Sequence, residues 1–147
     1  MKYTAEIEIN RPINTIVELF DNPANMGKWM EGLQSFELLS GIPGQPGAKS
    51  RLKIKMGKRD IIMIETIKKR NLPYELIGTY EAKGVYNTVK NKFVKVSDNK
   101  TIYITEQKFQ FRNKYRILKN SINQIRTTFR NNILLLCRTL RLFPGSF

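Results

Sequence analysis

The sequence predicts an α+β fold in which one antiparallel β-sheet is combined with two short helices and a long carboxy-terminal helix. Through most of residues 1–112, apolar and polar side chains alternate in short runs, which is typical of strands with one buried face. Short turns separate consecutive runs and therefore indicate antiparallel neighbours. Residues 113–147 instead repeat apolar side chains at helical spacing. A chain of 147 residues is long enough for one domain with its own core, so we expect a single domain over residues 1–147.

A strand and two short helices are expected at the amino-terminal end. Residues 6–9 alternate with a period of two, which predicts a strand. A helix then begins at Pro12, because apolar side chains follow at helical spacing at Ile13, Ile16, Val17 and Phe20. Pro23 follows Asn22 as a first-turn proline follows its N-cap, so a second short helix begins there and ends near Gly32.

Further strands fill the chain as far as residue 112. The predicted strands are residues 35–39, 48–56, 60–69, 74–82, 85–96 and 101–112. Glycines and prolines interrupt the pattern at residues 41–47 and 71–73, and the remaining strands are joined by short turns. Within residues 51–56, basic residues alternate with apolar ones, which indicates a strand with one solvated and one buried face.

The carboxy-terminal segment, residues 113–147, is predicted to be one long amphipathic helix. Its apolar stripe is formed by Tyr115, Leu118, Ile122, Ile125, Phe129, Ile133, Leu136, Leu140 and Phe143. Such a stripe must cover apolar surface, and the open face of the preceding sheet is the natural candidate. The segment contains no acidic residue and supplies half of the net charge of +14, so it is an atypical, basic segment. If it does not close the sheet, its exposed leucines favour self-association or membrane attachment.

Composition excludes several kinds of site. The single cysteine, Cys137, excludes an intramolecular disulfide, and the absence of histidine excludes a histidine-based metal site or catalytic triad. We therefore expect no metal and no cofactor. The amino terminus lacks the apolar core of a signal peptide, and no stretch reaches the roughly 18 apolar residues of a membrane span, so a cytoplasmic protein is expected.

A set of short fragments within residues 1–112 carries a family resemblance. The fragments are Glu8-Ile9-Asn10, Leu19-Phe20-Asp21-Asn22-Pro23, Lys28-Trp29-Met30-Glu31-Gly32-Leu33, Pro46-Gly47-Ala48-Lys49-Ser50, Glu65-Thr66-Ile67, Gly78-Thr79-Tyr80-Glu81-Ala82-Lys83-Gly84-Val85 and Asn87. Together with the order of elements, they resemble the START-like helix-grip superfamily, and more narrowly the small bacterial proteins labelled polyketide cyclase/dehydrase or SRPBCC. The resemblance implies a curved seven-stranded antiparallel sheet around a carboxy-terminal helix, with an apolar cavity between them.

The chain departs from this family at its carboxy-terminal end. Members usually pass from the last strand through a Pro-Gly turn into the closing helix, whereas here a similar turn, at residues 142–147, is the end of the chain. Residues 113–147 therefore either replace the closing helix or reflect a truncated or rearranged carboxy terminus. The periodic stripe favours replacement. Against a helix stand the lack of acids and the weak helix formers Asn120, Asn123, Asn131 and Asn132.

Large side chains of the strands and of the second helix are the candidates for lining the cavity. They are Trp29, Met30, Phe36, Met56, Met63, Tyr80, Tyr86 and Phe93. For each of them the alternative is simple core packing, which is the usual role of an aromatic residue at strand spacing. Trp29 is the only tryptophan and lies where helix gives way to strand, between Gly27 and Gly32, so it is well placed at an entrance.

Three functions remain open. The first is binding of a small hydrophobic, lipid- or polyketide-like ligand between the sheet and the carboxy-terminal helix. The second is a cyclase- or dehydratase-type enzyme that uses a cavity carboxylate and tyrosine, and its candidates are Glu65, Glu81, Glu106, Tyr80, Tyr86 and Tyr103. The third is binding of an anionic membrane surface through Arg126, Arg130 and Arg138.

The sequence gives less support for other partners. Nucleic acid is not expected as a partner, because aromatic–basic clusters typical of RNA-binding sheets are absent from the sequence. The sequence does not decide the oligomeric state, and a dimer remains one alternative.

Overall fold

A computed structural model describes residues 2–111 together with Leu135 and Arg138. The strands are β1 Lys2–Ile9, β2 Leu33–Ser40, β3 Lys49–Met56, β4 Arg59–Asn71, β5 Glu75–Ala82, β6 Val85–Ser97 and β7 Lys100–Phe111. The helices are α1 Ile13–Asp21, a 3₁₀ turn Pro23–Asn25 and α2 Met26–Trp29. Leu135 and Arg138 are helical, but the rest of the predicted carboxy-terminal helix lies outside the described residues. No helix in the described part of the chain is long and apolar enough to cross a membrane.

The strands form one seven-stranded antiparallel sheet in the order β1-β7-β6-β5-β4-β3-β2. From β2 to β7, strands that follow one another in sequence pair with each other in antiparallel fashion, as the sequence predicts. The first strand pairs instead with the last, and Ile9 lies opposite Thr101. The segment with the two helices therefore connects the opposite edges of the sheet, and it lies against one face, which we call the inner face.

The predicted bounds differ most at the start of β1 and in the second short helix. Strand β1 begins at Lys2 rather than at residue 6, because its backbone pairs with β7 even where its side chains are exposed on both faces. The second helix is split into the 3₁₀ turn and α2. Asn22 caps the turn as predicted, since its side-chain Oδ1 accepts a hydrogen bond from the Ala24 amide at 3.0 Å. Gly32 has a φ of 78° and lies close to the Lys55 carbonyl oxygen, so only glycine fits this turn into β2.

Side-chain alternation divides the sheet into an inner and an outer face. In β3, Leu52 and Ile54 are buried on the inner face, while Arg51 and Lys55 are exposed on the outer face. This arrangement confirms the prediction of one buried and one solvated face for this strand.

Two apolar clusters lie on the inner face. The α1 cluster consists of Ile9, Ile13, Ile16, Val17, Phe20, Phe93 and Tyr103. The β3 cluster consists of Met30, Leu52 and Ile54, with Met26, Leu33, Phe36, Met56, Met63 and Tyr80 packed against it. Trp29 packs against both clusters, so the short helix α2 ties the two halves of the core together.

Candidate functional site

A cavity of about 110 Å³ lies between α1, α2, the loop of residues 41–47 and the inner face of the sheet. It is lined by Phe20, Asp21, Pro23, Met26, Trp29, Phe36, Leu38, Pro43, Gly44, Ala48, Ser50, Glu65, Ile67, Arg70, Leu76, Gly78, Tyr80 and Asn91. Most of these side chains are apolar, and Gly78 widens the floor of the cavity because it has no side chain. The volume is small beside the roughly 300–1,000 Å³ of drug-sized ligand sites.

The apolar wall of the cavity is built around two stacked rings. The rings of Phe20 and Trp29 lie 5.7 Å apart and 13° from parallel. Phe20 also contacts the rings of Phe93 at 5.3 Å and Tyr103 at 6.2 Å, so it links the cavity wall to the α1 cluster. Trp29 is half-buried, and its Nε1 is buried without a hydrogen-bond partner among the described residues. A buried N–H group without an acceptor costs about 1–3 kcal/mol.

A carboxyl group and a hydroxyl group meet on the floor of the cavity. Glu65 of β4 and Tyr80 of β5 are direct cross-strand partners on the inner face. The Tyr80 hydroxyl donates a hydrogen bond to Glu65 Oε2 at 2.7 Å. Glu65 is only 7% exposed, and burial raises the pKa of its carboxyl above 4.5, although the bond from Tyr80 opposes that rise. Burial, and then the adjacent Glu65 carboxyl, raise the pKa of Tyr80 well above its usual value.

The raised pKa of Glu65 makes the stability of the protein depend on pH. In the folded state the carboxyl holds its proton to a higher pH than in the unfolded chain, so its favourable contribution is complete below about pH 4.5 and is lost as pH rises through the folded pKa. We expect Glu65→Gln to gain stability relative to the wild type over that range, by about 1.4 kcal/mol per unit of raised pKa. Urea unfolding of both proteins at several pH values measures the difference.

A second variant tests whether the pH dependence of stability comes from Glu65. Tyr80→Phe removes the hydrogen bond that lowers the pKa of Glu65, so the loss of stability should begin at the same pH as in the wild type but extend to a higher pH. A wild-type profile parallel to that of Glu65→Gln at all pH values would contradict the prediction.

A salt bridge fixes one side of the cavity. The Arg70 guanidinium donates to Asp21 Oδ1 at 2.7 Å and to Asp21 Oδ2 at 2.6 Å, and it also donates to the Gly44 carbonyl oxygen at 3.3 Å. It therefore joins β4 to the end of α1 and to the loop of residues 41–47.

The inward direction of Arg70 results from a β-bulge. Ile67 lies opposite Gly78, but the register shifts by one residue before Lys69, so that Arg70 lies opposite Leu76. Gly78 and Leu76 both face the cavity, and Arg70 therefore faces it as well. Without the extra residue, simple alternation would turn Arg70 to the outer face.

The predicted cavity residues occupy three different places. Trp29, Phe36 and Tyr80 line the cavity. Met30, Met56 and Met63 belong to the β3 cluster, and Phe93 belongs to the α1 cluster. Tyr86 lies on the outer face, because its neighbour Asn87 is buried on the inner face.

The other predicted chemical groups do not line the cavity. Glu81 and Glu106 lie on the outer face, where Glu106 forms an ion pair with Lys92 at 3.5 Å. Tyr103 is on the inner face, and its hydroxyl donates to Asn91 Oδ1 at 2.6 Å. Only Glu65 and Tyr80 are brought together at the cavity. Cys137, Arg126 and Arg130 lie outside the described residues, and Arg138 is exposed.

Several lining residues are absent from the predicted set, among them Asp21, Ser50 and Arg70. Phe20 is predicted only as part of the apolar stripe of α1. The inner faces of β6 and β7 also carry buried polar side chains, and Asn87 Nδ2 donates to Gln107 Oε1 at 3.3 Å. In the described part of the chain, no group of three or more acidic or cysteine side chains is arranged to hold a metal ion.

No protein-family model matches the chain. No curated protein matches its sequence.

Solved structures match its fold over nearly the whole chain. One is the Zhui aromatase/cyclase from Streptomyces sp. R1128, at 11% identity and a TM-score of 0.77, with 99% of each chain covered. Another is a START superfamily protein from Mycobacterium smegmatis, at 10% identity and a TM-score of 0.76, covering 95% of this chain and 96% of that one. A third is norcoclaurine synthase from Thalictrum flavum in complex with dopamine and hydroxybenzaldehyde, at 14% identity and a TM-score of 0.74, covering 100% and 89%. The chain has the START-like, SRPBCC-type helix-grip fold.

Proposed function

We propose that the protein binds a small apolar ligand in the cavity between α1, α2 and the inner face of the sheet. The observation that carries the proposal is the composition of the cavity wall, in which the rings of Phe20, Trp29 and Phe36 line the same space as one buried carboxyl group, that of Glu65. Ligand sites typically combine an apolar wall with a few polar groups that fix orientation. The volume of about 110 Å³ fits a ligand of one or two rings.

The structural neighbours support binding of hydrophobic ligands in general. The norcoclaurine synthase structure holds dopamine and hydroxybenzaldehyde, which are both small aromatic molecules, and the Streptomyces protein is an aromatase/cyclase. A shared fold does not transfer a reaction, so the ligand of this chain is inferred from its own side chains.

Binding is tested with a neutral fluorescent probe and with a variant that fills the cavity. The wild type should shift the emission of 1-naphthylamine, a two-ring probe that is neutral at pH 7, in a saturable way. Gly78 lines the cavity, and a Cβ added to it would lie in ordinary contact with the Thr66 carbonyl oxygen at 3.4 Å. Gly78→Leu therefore places a side chain in the cavity, and we expect it to weaken probe binding at least about tenfold.

A matched control is available on the same strand. Ile77→Leu changes the neighbouring side chain, which lies on the outer face, and should leave probe binding unchanged. Thermal unfolding of each variant establishes that it is folded. Absence of probe uptake by the wild type, or equal uptake by Gly78→Leu, would contradict the proposed function.

The other two functions predicted from the sequence remain predictions. The hydrogen bond between Tyr80 and Glu65 favours Glu65 over the other predicted carboxylates for an acid–base role, since Glu65 and Tyr80 both line the cavity whereas Glu81 and Glu106 lie on the outer face. The membrane-surface function depends on residues 113–147, which lie outside the described residues apart from Leu135 and Arg138.

A further inference from the structure

Glu65 has one carboxyl oxygen that the described residues do not use. Its Oε2 accepts the hydrogen bond from the Tyr80 hydroxyl, and this is the only hydrogen bond of the Glu65 side chain among those residues. Glu65 also lines the cavity. The remaining oxygen, Oε1, is therefore the polar atom of this side chain that is available to a ligand.

The bond from Tyr80 decides where a proton on Glu65 resides. In a carboxylic acid, the carbonyl oxygen is the acceptor and the other oxygen carries the proton. Because Oε2 accepts from Tyr80, the proton lies on Oε1. A neutral Glu65 therefore presents a hydrogen-bond donor to the cavity, opposite the apolar wall.

The charges around the cavity do not suit an anionic ligand. Among the described residues, the charged groups that line it are Asp21, Glu65 and Arg70. Arg70 is the only cation of the three, and both of its terminal nitrogens are bound to Asp21. An anion that entered the cavity would thus find no free positive charge there and would lie near a second acid.

A cationic ligand is also disfavoured. It would pair with an ionised Glu65, and both charges would then have to be removed from water into a cavity walled by Phe20, Trp29 and Phe36. The cost of removing two charges from water often exceeds their mutual attraction. A neutral ligand incurs neither cost.

We propose that the ligand is a neutral molecule that carries an acceptor oxygen, above all a ketone or another carbonyl oxygen, and that this oxygen accepts a hydrogen bond from Glu65 Oε1 while the apolar body lies against Trp29 and Phe36. This inference rests on the proposed function and specifies the ligand class of the same cavity. Tyr80 acts as a positioning residue, because its hydroxyl is bound to Glu65 Oε2 and so fixes the carboxyl group.

The proposal has a definite pH dependence. As pH rises through the pKa of Glu65, Oε1 loses its proton and no longer donates to the carbonyl oxygen, so the preference for a ketone is lost. The titratable groups that face Glu65 from the described elements are Tyr80 on β5, Arg70 on β4 and Asp21 at the end of α1, while β3 contributes the uncharged Ser50. Tyr80 titrates above the range of interest, and Arg70 and Asp21 form a closed pair.

Two isosteric probes test the proposal. In 2-acetylnaphthalene and 2-isopropenylnaphthalene, a carbonyl oxygen is replaced by a methylene group with little change of shape. The dissociation constants of both are measured by isothermal titration calorimetry. The ratio of the two constants within each protein is then compared between proteins, which cancels the different hydrophobicity of the probes. At pH 4, below the ordinary pKa of a glutamate, we expect this ratio to favour the ketone about tenfold more in the wild type than in Glu65→Leu.

Glu65→Gln tests the role of the proton on Glu65 most directly. Its amide oxygen accepts from Tyr80 and its amide nitrogen donates to the ligand, so it mimics the protonated acid at every pH. The ketone preference should persist in Glu65→Gln from pH 4 to pH 9, whereas in the wild type it should decline as pH rises through the raised pKa of Glu65. In Tyr80→Phe the decline should begin at a higher pH, because the hydrogen bond that lowers the pKa of Glu65 is gone.

The outcomes separate this inference from the proposed function. If no neutral probe binds the wild type, the proposed function fails and the ligand class fails with it. If both naphthalenes bind, but their ratio is the same in the wild type, Glu65→Leu and Glu65→Gln, only the ligand class is overturned. Tighter binding of 2-naphthoate or of 2-naphthylmethylammonium than of the ketone would overturn it as well. If Glu65→Leu does not fold, the contrast between the wild type and Glu65→Gln across pH still decides.

Discussion

Replacing Phe20 with alanine is expected to lower the free energy of unfolding by about 4–5 kcal/mol. Phe20 is 9% exposed at the end of α1, and its ring contacts those of Trp29, Phe93 and Tyr103. Truncation removes the buried ring and three aromatic contacts together, and it leaves a space between α1 and the sheet that the rigid strands cannot close. Such a loss is a large fraction of the roughly 5–15 kcal/mol that stabilises a typical domain.

Urea unfolding measures this loss, and two further variants define its cause. Phe20→Leu keeps most of the apolar volume and should lose only about 1–2 kcal/mol. Glu18→Ala changes an exposed residue of the same helix and should remain within about 0.5 kcal/mol of the wild type. A loss below about 2 kcal/mol for Phe20→Ala would show that α1 does not hold the core as its contacts indicate.

Replacing Trp29 with alanine is expected to cost about 3 kcal/mol of folding free energy as well as ligand binding. The sequence alone left Trp29 either at an entrance or in the core. In the structure it lines the cavity and also packs against both apolar clusters, so the two roles coincide. We place the loss of stability at the lower end of the usual range for tryptophan because the indole is only half-buried.

Trp29→Phe separates the two roles of the indole. It keeps a ring against Phe20 but removes Nε1, which is buried without a partner among the described residues. The relief of that unpaired donor offsets much of the lost area, so stability should change by about 1 kcal/mol or less. A loss in Trp29→Phe as large as that in Trp29→Ala, measured by urea unfolding, would mean that the indole nitrogen is satisfied in solution. Probe binding should still weaken, because the cavity wall becomes shallower.

The strands and the apolar stripe of α1 could be predicted because burial imposes a period on them. Strand β3 shows this most simply, since its basic residues all lie on the outer face and its apolar residues all lie on the inner face. The same alternation places Glu65 beside Met63 and Ile67 on the inner face. The identity of its partner is a different matter, because the pairing of Glu65 with Tyr80 depends on the register between β4 and β5, which composition does not determine.

Two side chains face the side of the sheet opposite to the one that the sequence pattern predicts, and each case has a physical cause. Arg70 faces the cavity only because a bulge adds one residue to β4, and its partner Asp21 is 49 residues away, so neither sequence spacing nor alternation relates them. Tyr86 lies on the outer face because the inner face of β6 accommodates Asn87, whose amide is paired with Gln107. The rule that the larger apolar side chain faces inward fails where the inner face itself is polar.

The alternation of β3 has a consequence for what approaches the protein. Arg51, Lys53 and Lys55 all point away from the cavity, so their charge adds to the field outside a chain of net charge +14. That field attracts anions to the exterior. Inside the cavity, however, the described charges are the closed pair of Arg70 and Asp21, and Glu65. The residues that attract anions to the surface are thus different from the residues that decide which ligand enters the cavity. A neutral ligand should reach the cavity at a rate that does not depend on ionic strength.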